Sequence, residues 1–137
     1  MRPEEARRRF ATARVARLAT VAADGAPHLV PIVFALLDDT VYSVVDEKPK
    51  RTAELKRLRN VRANPKAALL ADHYEEDWTR LWWVRADGTA RTLESDEPEA
   101  QRALAALAQR YPQQRPIGPV LAVDVERWTG WSAGGST

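Results

Sequence analysis

The chain has 137 residues, of which 45% are hydrophobic, with no cysteine and a formal net charge of +2. This length suits a single domain with a real core, and the composition excludes a disordered chain. Disulfides, thiol catalysis and cysteine-held metals are excluded. No apolar run nears the roughly 18–20 residues of a membrane span, and MRPEEARRRF lacks the apolar centre of a secretion signal, so a cytoplasmic protein is expected.

Pro3, Glu4 and Glu5 open a helix predicted over residues 3–13, with acids near the positive end of its dipole. Val15 to Ala23 reads as a strand that ends at Asp24-Gly25, a strong hairpin signal. The partner strand, His28 to Leu37, is nearly all apolar, and Pro31 inside it demands an edge position or a bulge. Asp38-Asp39 turns the chain into a third strand, Thr40 to Val45, giving a three-stranded antiparallel meander.

Thr52 caps a helix that reaches Ala63, where Asn64-Pro65 stops it; Leu55, Leu58 and Val61 form its thin apolar stripe. Ala67 to Ala71 is a fourth strand. Leu81–Ala86 and Thr89–Leu93 are strand segments joined across Asp87-Gly88, either by a tight turn or by a bulge in one long strand. Asp96, Glu97, Pro98 and Glu99 open a one-sided core helix with Ala100, Ala103, Leu104, Leu107, Ala108 and Tyr111 at helical spacing. A last strand begins at Val120 and continues towards Trp128, and residues 132–137 read as a frayed tail. The expected fold is α+β: one domain over residues 1–137, a small antiparallel barrel of six or seven strands with about three helices.

The segment from Lys48 to Lys66 holds eight basic residues and one acidic one, a charge of +7 that leaves −5 for the rest of the chain. A cationic turn and helix that follow a buried strand form a natural anion site. Lys48, Lys50 and Arg51 lie in the loop after the strand, and Lys56 and Arg57 are in reach from the first turns of the helix. Arg59, Arg62 and Lys66 read as an ordinary solvated face. Five tryptophans cluster as Trp78, Trp82, Trp83, Trp128 and Trp131. Trp82 and Trp83 are neighbours on a strand and so point to opposite faces, one inward and one towards a ligand or a partner subunit. His28 and His73 have no ligand-spaced partners, so no metal site is expected. No dinucleotide, Walker or nucleophile-elbow motif occurs.

The order LATVAADGAPHLVPIVFALLDDTVYSVVD, a basic loop, then LKRLRNVRANPKAALL resembles the pyridoxamine 5′-phosphate oxidase-like split-barrel family. DHYEEDWTRLWWVRADGTARTL is similar to its small actinobacterial members that use a deazaflavin, coenzyme F-420, in place of FMN. The resemblance spans Val15 to Trp131. It implies a split-barrel homodimer with cofactor sites at the subunit interface, acting as an oxidoreductase on a small molecule. Carried over by position, Lys48, Lys50, Arg51, Lys56 and Arg57 hold the cofactor phosphate. The ring lies along Val30–Ile32, with Pro31, and along Tyr42–Val44, with Ser43, while Trp82, Trp83 and Trp131 are candidates to cover it. The FMN oxidases carry Ser-x-Lys in the third-strand loop and a C-terminal arginine-tryptophan segment. Here the loop is Lys48-Pro49-Lys50 and the ending is TGWSAGG. This departure favours the deazaflavin over FMN.

Hydride transfer on such a cofactor demands no side-chain acid or base; Tyr42, Ser43 and His28 are candidate proton donors, each of which reads first as structural. The rival readings are a non-catalytic flavin, deazaflavin or haem binder and a nucleic-acid binder. The latter is disfavoured because Lys/Arg and Trp occupy different segments. No nucleic-acid or membrane partner is expected.

Overall fold

The computed structural model describes residues 1–44, 51–114, 116 and 118–134, with the side chains of 51–55 outside the described part. The elements run α1 (Pro3–Thr12), β1 (Ala16–Val21), β2 (Pro27–Ile32), β3 (Ala35–Leu37), β4 (Thr40–Val44), α2 (Arg51–Ala63), β5 (Lys66–His73), β6 (Trp82–Leu93), α3 (Pro98–Arg110) and β7 (Val120–Ser132). A short 3-10 turn, Trp78–Arg80, precedes β6. The seven strands form one antiparallel sheet in the order β2-β1-β5-β6-β7-β4-β3. This is the α+β split barrel expected from the sequence.

The predicted meander is corrected. His28–Leu37 is not one strand but two, β2 and β3, which lie at opposite edges of the sheet. Only Val33 and Phe34 separate them, so the edges are joined by a chain that spans at most about 10 Å. A seven-stranded sheet whose two edges are that close must curl into a barrel with a seam. Pro31 sits on the β2 edge opposite Arg17, where its missing N–H costs no ladder bond.

The crossing is clamped by the end of α3. The Tyr111 hydroxyl accepts from Phe34 N–H (3.3 Å) and shares its hydrogen between the carbonyls of Phe34 (3.0 Å) and Arg14 (3.1 Å). Arg110 donates to the Phe34 and Ala11 carbonyls, both at 3.0 Å, and to that of Ala13. Its guanidinium also lies 4.7 Å from the Phe34 ring centroid. One side chain therefore ties the seam to the end of α1.

Two cores result. Inside the barrel, Leu18, Ile32, Val41, Leu69, Val84 and Val123 pack with Phe10 of α1 and with Leu58 and Val61 of α2. Outside, α3 lays Ala100, Ala103 and Leu107 on Ala35, Tyr42, Val44 and Val120. Ala108, expected on that stripe, is exposed. An ion network pins the second core. Arg91 meets both oxygens of Glu99 (2.8 and 2.7 Å) and of Asp124 (2.7 and 3.0 Å), and Tyr42 donates to Glu99 at 2.6 Å. Hydrogen bonds from Arg91 and then Tyr42 pull Glu99 down to about 2. Burial, then the bond to Glu99, pushes Tyr42 up to about 12.

Asp87-Gly88 is a bulge within one long strand. Asp87 faces Arg127 and Gly88 faces Val125, so Glu126 of β7 has no opposite residue. A Cβ on Gly88 would fall 2.2 Å from the Asp124 carbonyl oxygen, so only glycine fits. Strand β7 continues through Ser132, and Ala133 N–H donates to Leu81 O at 2.9 Å, where the sequence predicts a frayed tail; residues 135–137 lie outside the described part.

Tyr111→Phe strands the buried Phe34 N–H and is expected to cost about 1–3 kcal/mol of stability. Urea denaturation at unchanged m-value measures it; a loss under about 0.5 kcal/mol would mean the seam does not need this hydroxyl.

Candidate functional site: the barrel seam and the uncovered sheet face

Register locates an opening beside the crossing. Strand β3 begins at Ala35, opposite Tyr42, so Ser43 and Val44 extend beyond the last β3 pair. On the other side of the seam is the edge of β2, which pairs only with β1. The two backbone stretches assigned to the ring, Val30–Ile32 and Tyr42–Val44, therefore flank the same gap. Val41 and Ser43 face the barrel interior, while Tyr42 and Val44 face α3. Ser43 is only 2% exposed and its Oγ has no hydrogen-bond partner among the described residues. A buried hydroxyl without a partner needs an explanation, and a ligand in the gap is one.

His28 lies on the inward side of β2, opposite Thr20. Asn60 of α2 donates to Thr20 Oγ1 at 3.1 Å, which docks the helix against this end of the barrel. Burial, then the charges of Lys56 and Arg57, lowers the His28 pKa from its ordinary value, so the first turns of α2 project positive potential onto β2. His28 Nδ1 is buried and also lacks a partner. Lys48 and Lys50 lie outside the described residues, as does the Arg51 side chain, although Arg51 itself begins α2. Tyr42 is not a free proton donor, because its hydroxyl is committed to Glu99.

The tryptophans divide by face. Trp82 packs on the inner core, with the Arg9 guanidinium 5.8 Å from its ring, on the opposite side of the sheet from Trp83. Trp83 points outward and pairs in register with Trp131, which is 44% exposed. Together with Arg17, Ala19, Leu29, Leu70 and Arg85, Trp83 lines an open groove of about 650 Å³ across β1, β2, β5 and β6. Helix α3 covers only the other half of this outer face, so a mostly apolar sheet surface is left bare. Trp78, named in the tryptophan cluster but not assigned to the site from the sequence, is 74% exposed in the β5–β6 loop, which also exposes Tyr74. No cluster of potential metal ligands occurs among the described residues, and no helix there is long and apolar enough to cross a membrane.

Solved structures that share the fold include the following three. A conserved hypothetical protein of Mycobacterium tuberculosis is 22% identical, with 97% of this chain and 86% of that one covered at a TM-score of 0.75. A FAD-binding protein of Mesorhizobium loti is 23% identical over 95% and 94%, with a TM-score of 0.72. HutZ, the haem storage protein of Vibrio cholerae, is 18% identical over 96% and 95%, with a TM-score of 0.67. No curated protein matches the chain.

The depressed His28 pKa has a thermodynamic signature. The folded state binds this proton more weakly than the unfolded one, so the contribution is present above the ordinary imidazole value and lost as pH falls. Between about pH 7.5 and 5.5 the wild type should lose more thermal stability than His28→Gln. Parallel pH profiles of the two melting temperatures would dismiss the positive field at the seam. The same seam, with the strands and helices that frame it, lies within residues 3–132, which match the family model for pyridoxamine 5′-phosphate oxidase, and the chain belongs to that family.

Proposed function

We propose that the chain binds a planar, phosphorylated redox cofactor in the seam and uses it as an oxidoreductase on a small molecule. The deazaflavin coenzyme F-420 is the favoured cofactor and FMN the alternative. One observation supports this reading: the β2 edge is unpaired, and the buried Ser43 hydroxyl beyond the last β3 pair has no partner among the described residues.

In this reading Ser43 and the backbone of Val30–Ile32 meet the ring edge. Lys48, Lys50 and Arg51, which lie between β4 and the first turn of α2 in sequence, hold the phosphate with Lys56 and Arg57. The cofactor, when bound, supplies the hydride chemistry; the chain orients it, excludes water and anchors its charge. The bare outer face of β2, β1, β5 and β6 takes a second copy of the chain, making a homodimer. Trp83 and Trp131 are the tryptophans available on that face, and Trp82 is withdrawn because it faces inward.

A second reading is a carrier without turnover. It is favoured by the haem storage role of HutZ and by the commitment of Tyr42 to Glu99, which removes a proton donor from the gap.

Quenching of the tryptophan fluorescence by added cofactor tests the site. Deazaflavin is expected to bind more tightly than FMN, and Lys50→Ala and Arg57→Ala to weaken either roughly tenfold, the loss of one charge-assisted bond. Equal affinity in wild type and variant removes that residue from the anchor. Consumption of reduced cofactor in the presence of candidate acceptors separates enzyme from carrier.

A further inference from the structure

A second groove, of about 730 Å³, lies between α2 and the β1–β2 hairpin. Lys56, Arg59 and Arg62 line it, with Ala22, Ala23 and Ala63 as small apolar walls. None of the three cations makes an ion pair among the described residues, and the one acid in the groove, Asp24, accepts from Ala26 N–H at 3.0 Å. At the other end of the sheet stands the β5–β6 loop. Its Asp77 carboxylate accepts from Thr79 N–H (3.1 Å) and Thr79 Oγ1 (2.6 Å), and Glu75 is bonded to His73 and lies 3.4 Å from Arg80. Glu76 has no partner among the described residues, and Trp78 is the most exposed of the large apolar side chains.

Groove and loop cannot meet within one chain. Strand β5 separates them, with Lys66 at the groove end and His73 at the loop end, roughly 23 Å apart at strand rise. Resting on the paired-sheet homodimer proposed above, we infer that the loop of each copy docks in the α2 groove of the other, Trp78 on the alanine walls and Glu76 against Arg59 and Arg62. A two-fold axis lying between the outer faces and across the strands exchanges sheet ends, so one contact forms twice, as an isologous interface requires. The loop is acidic, the helix face is basic, and the apolar strip bearing Trp83, Leu70 and Leu29 runs between them. Charge at the ends and apolar surface at the centre is the usual anatomy of such an interface. The inference gives a role to Lys56, Arg59 and Arg62 and to the most exposed indole of the chain.

The absence of native cysteine makes the test clean. Trp78→Cys and Ala63→Cys chains are co-expressed and treated with a short bismaleimide, and native mass is measured in parallel. A covalent dimer containing one chain of each kind is expected. Glu76→Arg should weaken the dimer roughly tenfold and the added Arg62→Glu should restore it, as a swapped charge pair does. A native dimer that neither cross-links nor responds to Glu76→Arg overturns the docking and leaves the paired sheets standing. A native monomer overturns both.

Discussion

The two-residue crossing at Val33–Phe34 is the constraint on which the molecule depends. It forces one sheet to meet itself, yet its own backbone cannot pair fully with either edge. Buried N–H and carbonyl groups without partners would make such a closure unstable. Arg110 and Tyr111 satisfy them, so the end of α3 matters more for closure than the rest of that helix. The same crossing leaves Ser43 and Val44 beyond the last β3 pair. The defect that closes the barrel and the opening that can admit a ligand are one feature.

Charge is distributed according to two different needs. Arg91, Glu99, Asp124 and Tyr42 neutralise one another beneath α3 and hold three strands to a helix. Lys56, Arg59 and Arg62 of α2 make no ion pair among the described residues. Burial, and then the charges of Lys56 and Arg57, lowers the pKa of His28 on β2.

Much of this was legible in the residues. Helix starts at Pro3 and Pro98, the Asp24-Gly25 turn, the concentration of charge after β4 and an irregularity at Asp87-Gly88, open between turn and bulge, are local signals, each with a steric or electrostatic cause. The break in His28–Leu37 was not legible, because both halves are apolar and a continuous apolar run carries no mark of which edge it joins. Pro31 was the available hint, since it reports an edge without saying that the chain then leaves for the opposite one. Tyr111 read as the last residue of a helical stripe, and its hydroxyl bonds to residues 77 and 97 positions away. Alternation predicted that Trp82 and Trp83 separate, but the choice of the inward one depended on where α1 packs.

The unopposed Glu126 has a consequence for the whole second half of β7. Before it, odd-numbered residues such as Leu121 and Val123 look into the barrel; after it, even-numbered Trp128 does, and Trp131 looks out. One inserted residue thus resets the reading frame of the strand, and it decides which indole is sheltered and which is offered to the surroundings. The same residues paired without that bulge would carry the two tryptophans with their orientations exchanged, and the outer wall would lose its aromatic pair while the composition stayed unchanged.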